Sequence, residues 1–296
     1  MFERILVPLD GSRLAEAVLP LVERIATRLP ASIELLHVIE KNAPARVHGD
    51  RHLQHEAEAR AYLEGEVAPR LAGSLVQVHA HVHEVPEGDV AASIAAHVKE
   101  LGAELVALAT HGAGGMRDIL FGSVAQQVLA RVDVPVLLVR PDHASASELR
   151  RVLVPLDGTS DGEQALGSAV AVARAFGAEL LLLRVVPTWS TLAGERSPGA
   201  VLLPTATAAA LDLEAGAAAE YLDGVGSRVE AQGLAVRKLI KRGEPAHGIA
   251  EAVREEQADL VAMATHGRAG LSGAWRGSLA GRVLKALPVP ALLVRI

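Results

Sequence analysis

The feature that most constrains how this chain can fold is an internal repeat. Arg4-Ile5-Leu6-Val7-Pro8-Leu9-Asp10-Gly11-Ser12 returns 147 positions later as Arg151-Val152-Leu153-Val154-Pro155-Leu156-Asp157-Gly158-Thr159. Tyr62-Leu63-Glu64-Gly65 returns as Tyr221-Leu222-Asp223-Gly224. Ala109-Thr110-His111-Gly112, followed after nine residues by Gly122-Ser123, returns as Ala264-Thr265-His266-Gly267, followed at the same interval by Gly277-Ser278. Three landmarks in one order mean duplication of a whole unit. The net insertion in the second copy falls in the Pro187 to Ala210 stretch.

A chain of 296 residues gives each copy about 150, enough to bury its own core. The polar stretch Pro141 to Glu148 has no apolar period and reads as a linker. The expected organisation is a first domain over 1–141, a linker over 142–149 and a second domain over 150–296. Within each copy short β-branched and Leu runs alternate with helical spacing. In the first copy the expected strands are Ile5 to Leu9, Ile33 to Ile39, Val76 to Val82, Leu105 to Ala109 and Val134 to Val139. A helix carries Ala15, Val18, Leu19, Val22 and Ile25 on one face. Strands that are apolar throughout and alternate with helices predict right-handed βαβ crossovers and a parallel sheet covered on both faces.

Composition narrows the function. With no cysteine, disulfide scaffolds, thiolate metal sites and cysteine nucleophiles are excluded. A net charge of −6 and only seven aromatic residues (three Phe, two Trp, two Tyr) argue against a nucleic-acid partner. The apolar runs are far shorter than the ~20 residues of a spanning helix, and the first residues do not read as a secretory leader. A cytoplasmic protein without a membrane or nucleic-acid partner is expected.

In an open parallel sheet, ligands bind beyond the carboxyl ends of the strands, where helix N-termini point. Asp10, Val38 and the Thr110 to Ser123 loop fall at such ends in the first copy. Asp157, Val185 and the Thr265 to Ser278 loop do so in the second. Glycines let the backbone approach an anion, and the N–H groups of a helix start, with a serine hydroxyl, hold phosphate oxygens. Alone, Gly-x9-Gly-Ser also describes a glycine loop with an ordinary serine cap. Its recurrence after a buried strand and Thr-His-Gly favours the cradle. No Gly-x4-Gly-Lys-Ser/Thr loop occurs, and no Gly-x-Gly-x-x-Gly follows the first strand.

Strand-Pro-Leu-Asp-Gly-Ser, Leu-His-Val-Ile, and Ala-Thr-His-Gly-x9-Gly-Ser-Val before Val-Pro-Val-Leu-Leu-Val-Arg resemble the universal stress protein family, twice over, at about 1–140 and 151–296. The resemblance implies two tandem α/β domains of Rossmann-like, adenine nucleotide alpha hydrolase-like fold. Each would be a five-stranded parallel sheet with helices on both faces. It also implies ATP as ligand, with Mg2+ as a companion and AMP or a cyclic nucleotide as alternatives. Carried onto this sequence, the cofactor-binding residues are Pro8, Asp10, Val38, Ala109, His111, Gly112, Gly122, Ser123 and Val124 in the first copy. In the second they are Pro155, Asp157, Val185, Ala264, His266, Gly267, Gly277, Ser278 and Leu279. Ala109 and Ala264 stand where the family pattern has its first glycine, which implies a tighter pocket.

One aspartate per site is thin equipment for activating water, so the expected protein is a nucleotide-dependent stress-response regulator or sensor with no catalytic residues and at most weak ATP hydrolysis. The alternatives are a slow ATPase or nucleotidyl-transfer enzyme, and a chaperone-like scaffold that binds no nucleotide. The Ser-Gly-Gly-x-Asp-Ser signature of the related pyrophosphatases is absent. His79, His81 and His83 alternate on one strand, but their ~7 Å spacing is too wide for three nitrogens to share a metal, so a solvated strand face and no metal are expected. The family pairs its last strands, which predicts an intramolecular pseudo-dimer through Val136–Val139 and Ala291–Val294, with a protein partner of unknown identity and a further homodimer as additional assemblies.

Overall fold

The computed structural model describes residues 2–41, 46–47, 50–51, 53–71, 76–85, 89–110, 123–141, 148–192, 204–266 and 278–296. It divides into two compact units. One comprises Met1–Ser147, His266–Ser272 and Pro290–Ile296, and the other Glu148–Thr265 and Gly273–Val289.

The strands of the first unit are β1 (Arg4–Pro8), β2 (Ser32–Glu40), β5 (Val78–Val85), β6 (Leu105–Ala109), β7 (Val136–Val139) and the C-terminal β12 (Ala291–Arg295). A two-residue ribbon, β3 (Arg46–Val47) with β4 (Asp50–Arg51), stands apart from that sheet. The order across the sheet is β12-β7-β6-β1-β2-β5. Five of these strands run parallel. β12 is antiparallel to β7, with Ala291 opposite Leu138, Leu292 opposite Leu137 and Leu293 opposite Val136. The expected pairing of the two C-terminal strands is therefore present. Arg295 fastens it, donating to the Ala130 carbonyl at 2.6 Å and to the Asp133 carboxylate.

Helices α1 (Leu19–Arg28), α2 (Glu56–Tyr62), α3 (Ala68–Leu71), α4 (Val90–Glu100) and α5 (Ser123–Arg131) complete the unit. A wide π-type turn over Leu63–Val67 joins α2 to α3. Ile5, Leu6 and Val7 are fully buried, as a central parallel strand covered on both faces requires.

In the second unit the strands are β8 (Arg151–Pro155), β9 (Glu179–Val186), β10 (Val236–Arg242) and β11 (Leu260–Thr265), in the order β10-β9-β8-β11 and all parallel. Its helices are α6 (Ser160–Glu163), α7 (Ala165–Phe176), α8 (Pro204–Glu230), α9 (Pro245–Glu255) and α10 (Leu279–Ala286). α8 answers to α2–α3 and is 27 residues long, so the second copy spends part of its insertion on an uninterrupted helix.

Prolines explain where elements begin. The last strand of each copy starts at Val136 and Ala291, later than the apolar runs suggest, because Pro135 and Pro290 have no N–H for the ladder. The helix expected from Ala15 is a 3-10 turn over Ala15–Val18, and α1 starts at Leu19 with Pro20 in its first turn. β5 runs to Val85 rather than Val82 because it pairs along β2 as far as Glu40.

Candidate functional site

β1 is flanked by β2 on one side and β6 on the other, and β8 likewise by β9 and β11. Each copy therefore has a switch point at the carboxyl end of its first strand. Asp10 and Asp157 stand there, and the two turns are alike. Asp10 Oδ1 accepts from the Ser12 N–H (2.9 Å) and hydroxyl (2.6 Å), and Ser12 Oγ accepts from Ala15 N–H (3.1 Å). Asp157 Oδ1 accepts from the Thr159 N–H (3.0 Å) and hydroxyl (2.6 Å), and Thr159 Oγ1 accepts from Gly162 N–H (3.1 Å). Gly11 and Gly158 take φ of +86° and +84°, the left-handed region that favours glycine. The duplicated motif is thus a duplicated geometry.

Around these turns, Pro8 and Pro155 end their strands half-buried, Val38 is buried and Val185 half-buried, and Ala109 and Ala264 lie half-buried at the ends of β6 and β11. Thr110, buried directly after β6, donates its N–H to the Val139 carbonyl at 2.8 Å. Ser123 opens α5, while Val124 and Leu279 are exposed in the first turns of their helices. Ser278 caps α10, its hydroxyl accepting from Gly281 N–H at 3.1 Å. His266 is exposed. His111, Gly112, Gly122, Gly267 and Gly277 lie outside the described residues, as does the side chain of Ser123.

A relay that sequence reading missed backs each turn. Tyr62 donates to Glu16 Oε1 at 2.9 Å and Arg70 to Glu16 Oε2 at 2.6 Å, while Glu16 N–H donates to the Ser12 carbonyl at 3.3 Å. In the second copy Arg228 pairs with Glu163, and Glu163 N–H donates to the Thr159 carbonyl at 3.3 Å. The Tyr221 hydroxyl is buried and has Glu163 as an electrostatic neighbour, but it lacks the donor geometry of Tyr62. Burial, then Glu16, pushes the Tyr62 phenol up; burial, then Glu163, does the same to Tyr221. Aligning the copies pairs Glu16 with Glu163 at the same 147-residue offset as Asp10 with Asp157, which was the available signal.

The helix that follows the edge strand also has a common device. Asp89 caps α4 by accepting from Ala92 N–H (3.0 Å) and pairs with Arg131 (3.1 Å). Glu244 caps α9 by accepting from His247 N–H (2.9 Å) and pairs with Arg282 (2.6 Å). Burial works against the Glu244 carboxylate, but the His247 and Ala246 N–H groups and Arg282 outweigh it and lower its pKa.

Of the edge histidines, His79 and His83 are exposed, His83 packing edge-on to the buried His97 with ring centres 4.8 Å apart, and the half-buried His81 has its Nε2 2.8 Å from Glu34 Oε2. Among the described residues, no group of three or more His, Asp or Glu is arranged to hold a metal, and no helix is long and apolar enough to cross a membrane.

The model of the universal stress protein family matches residues 1–140 and 148–295. A universal stress protein of Mycolicibacterium smegmatis is 27% identical over 98% of this chain and 96% of its own length. One from Mycobacterium tuberculosis is 31% identical over 65% of this chain and 62% of its own. The crystal structure of a universal stress protein from Archaeoglobus fulgidus, 22% identical, superposes with a TM-score of 0.71 over 99% of this chain and 96% of that one, a likeness of fold.

Proposed function

The chain belongs to the universal stress protein family, and from that premise we propose that it binds ATP at the switch point of each copy and acts as a nucleotide-dependent stress-response regulator. What supports the reading is one recurrent arrangement. Each copy sets an aspartate on an Asx turn at the carboxyl end of its first strand, with a serine at the start of the last helix. An adenosine has hydroxyl and amino donors for the aspartate, and its phosphates suit backbone N–H groups at a helix start. Asp157 is exposed, so its carboxylate is open to such a donor. With few aromatic residues, the base would lie between aliphatic walls such as Val38 or Val185 and be read by main-chain hydrogen bonds. Charge beyond the helix starts would fall to a Mg2+ accompanying the ATP.

The reading assigns holding rather than transforming the nucleotide, and it places the protein in the cytoplasm. Tandem copies fit an intramolecular pseudo-dimer, with the β7–β12 ladder as the pairing of the two copies' last strands. Calorimetric titration of the full chain with ATP and Mg2+ tests the assignment. Binding at up to two sites is expected, with Gly122→Glu and Gly277→Glu each removing one. No heat, and no nucleotide released on denaturing the purified protein, would reject it. Phosphate release on the order of 1 per second or faster would instead make the protein an enzyme.

A further inference from the structure

The two copies differ at one position beside the aspartate turn. On β2 it is His37 and on β9 it is Arg184, and both side chains reach the same main-chain group, the carbonyl of the residue before the aspartate. His37 is completely buried. Its Nδ1 lies 2.8 Å from the Leu9 carbonyl oxygen and its Nε2 3.2 Å from that of Leu53, so each ring nitrogen is covered by a main-chain carbonyl, one of which accepts the N–H of a neutral ring.

Arg184 is half-buried. Its Nη1 donates to the Leu156 carbonyl at 3.3 Å, and among the described residues no carboxylate lies within ion-pair distance of it. A Cβ built on Gly158 would stand 3.6 Å from Nη2, 3.7 Å from Cζ and 4.0 Å from Nε. Those near-equal distances lay the flat guanidinium against the glycine of the Asp157-Gly158-Thr159 turn. Among the described residues, four of its five N–H donors are left over.

We propose that Arg184 makes the second site selective for a purine with an acceptor edge, a guanine nucleotide, while the first site keeps no such preference. This rests on the nucleotide reading above and specifies its ligand. β9 and β11 are separated by β8, so their ends lie about 10 Å apart. A nucleotide whose phosphates meet the helix start at Ser278, after β11, therefore brings its base to the β8–β9 side, where Arg184 lies. A guanidinium can only donate. Guanine offers it two acceptors, O6 and N7, in bidentate spacing, whereas adenine offers N7 beside an amino group that is itself a donor. In the first copy the locked imidazole of His37 has nothing to offer either base. One chain would thus compare two nucleotide pools.

The test uses the full chain in two single-site forms, Gly122→Glu to leave the second site and Gly277→Glu to leave the first, each titrated with ATP and with GTP. The preference for GTP over ATP is expected to be about tenfold greater at the second site. Arg184→Gln should abolish that difference, lowering GTP affinity about tenfold more than it lowers ATP affinity. Equal preferences at the two sites, or a preference that survives Arg184→Gln, overturns the inference and leaves ATP binding standing. Absence of binding by either nucleotide to the unsubstituted chain overturns both. If a glutamate variant does not fold, GTP titration of the otherwise unsubstituted chain with and without Arg184→Gln decides: an unchanged isotherm overturns the inference, and selective loss of GTP affinity supports it.

Discussion

Tyr62 donates its phenolic hydrogen to Glu16 at 2.9 Å, and through that bond a helix that follows β2 braces the turn that follows β1. Glu16 carries the connection on, because its own N–H holds the carbonyl of Ser12, whose hydroxyl and N–H hold Asp10. The second copy repeats the connection through Glu163 and Thr159, with Arg228 as its charged support. The aspartates are therefore fixed from behind by residues remote from them in sequence.

Removing the Tyr62 hydroxyl should destabilise the first unit. Tyr62→Phe keeps the ring and leaves a buried bond unmade, an effect of about 1 kcal/mol, read as a lower urea midpoint. Tyr221→Phe should have a smaller effect, since its hydroxyl lacks the same geometry. Equal effects of the two substitutions would contradict the asymmetry.

The tyrosines should also resist ionisation. Burial, then the Glu16 or Glu163 carboxylate, raises each phenol above its ordinary value of 10.0, so folding favours the neutral form. That contribution is fully present below pH 10 and is lost as the pH rises toward the folded-state pKa. Because the chain has only two tyrosines, tyrosinate absorbance reports them alone. It should appear together with alkaline unfolding; a reversible titration near pH 10 with intact circular dichroism would falsify the prediction.

Glu244 gives the opposite pH dependence. Its carboxylate is held below the ordinary 4.5 by the N–H groups of α9 and by Arg282, against the effect of burial. Its contribution is present above pH 4.5 and disappears as the pH falls through the lowered folded value. Glu244→Gln should therefore lower the melting temperature at pH 7, with a deficit that shrinks as the protein is acidified below pH 4.5. A deficit independent of pH would mean that packing, not charge, is what the substitution removes.

Gly158 sits at φ +84° with nothing closer than 3.6 Å to a built Cβ, so its requirement for glycine is conformational rather than steric. Gly158→Ala should lower stability by roughly 1–2 kcal/mol, measured by chemical denaturation, and Gly158→Asn by less, because asparagine tolerates the left-handed region. Similar losses from both would point instead to a clash with Arg184.

By itself the sequence determined the duplication, the alternation of buried strands with helices, and the placing of Asp10 and Asp157 after the first strand of each copy. These rest on local pattern: apolar runs such as Ile5 to Val7, and the Asp-Gly-Ser/Thr turn signal that follows the first of them in each copy. What pairs across long separations was decided by tertiary structure alone. Glu16 meets Tyr62 and Arg70, His83 meets the buried His97, and Glu34 finds His81 because parallel crossovers stack distant segments at registers that no local period specifies. His37 and Arg184 are the clearest instance. In the sequence they are a histidine and an arginine at one repeat position, but only packing shows that the imidazole is held between two carbonyl oxygens while, among the described residues, the guanidinium spends a single donor. A side chain's chemistry is written in the sequence, and whether any of it is left over for a ligand depends on which polar groups the fold brings to it.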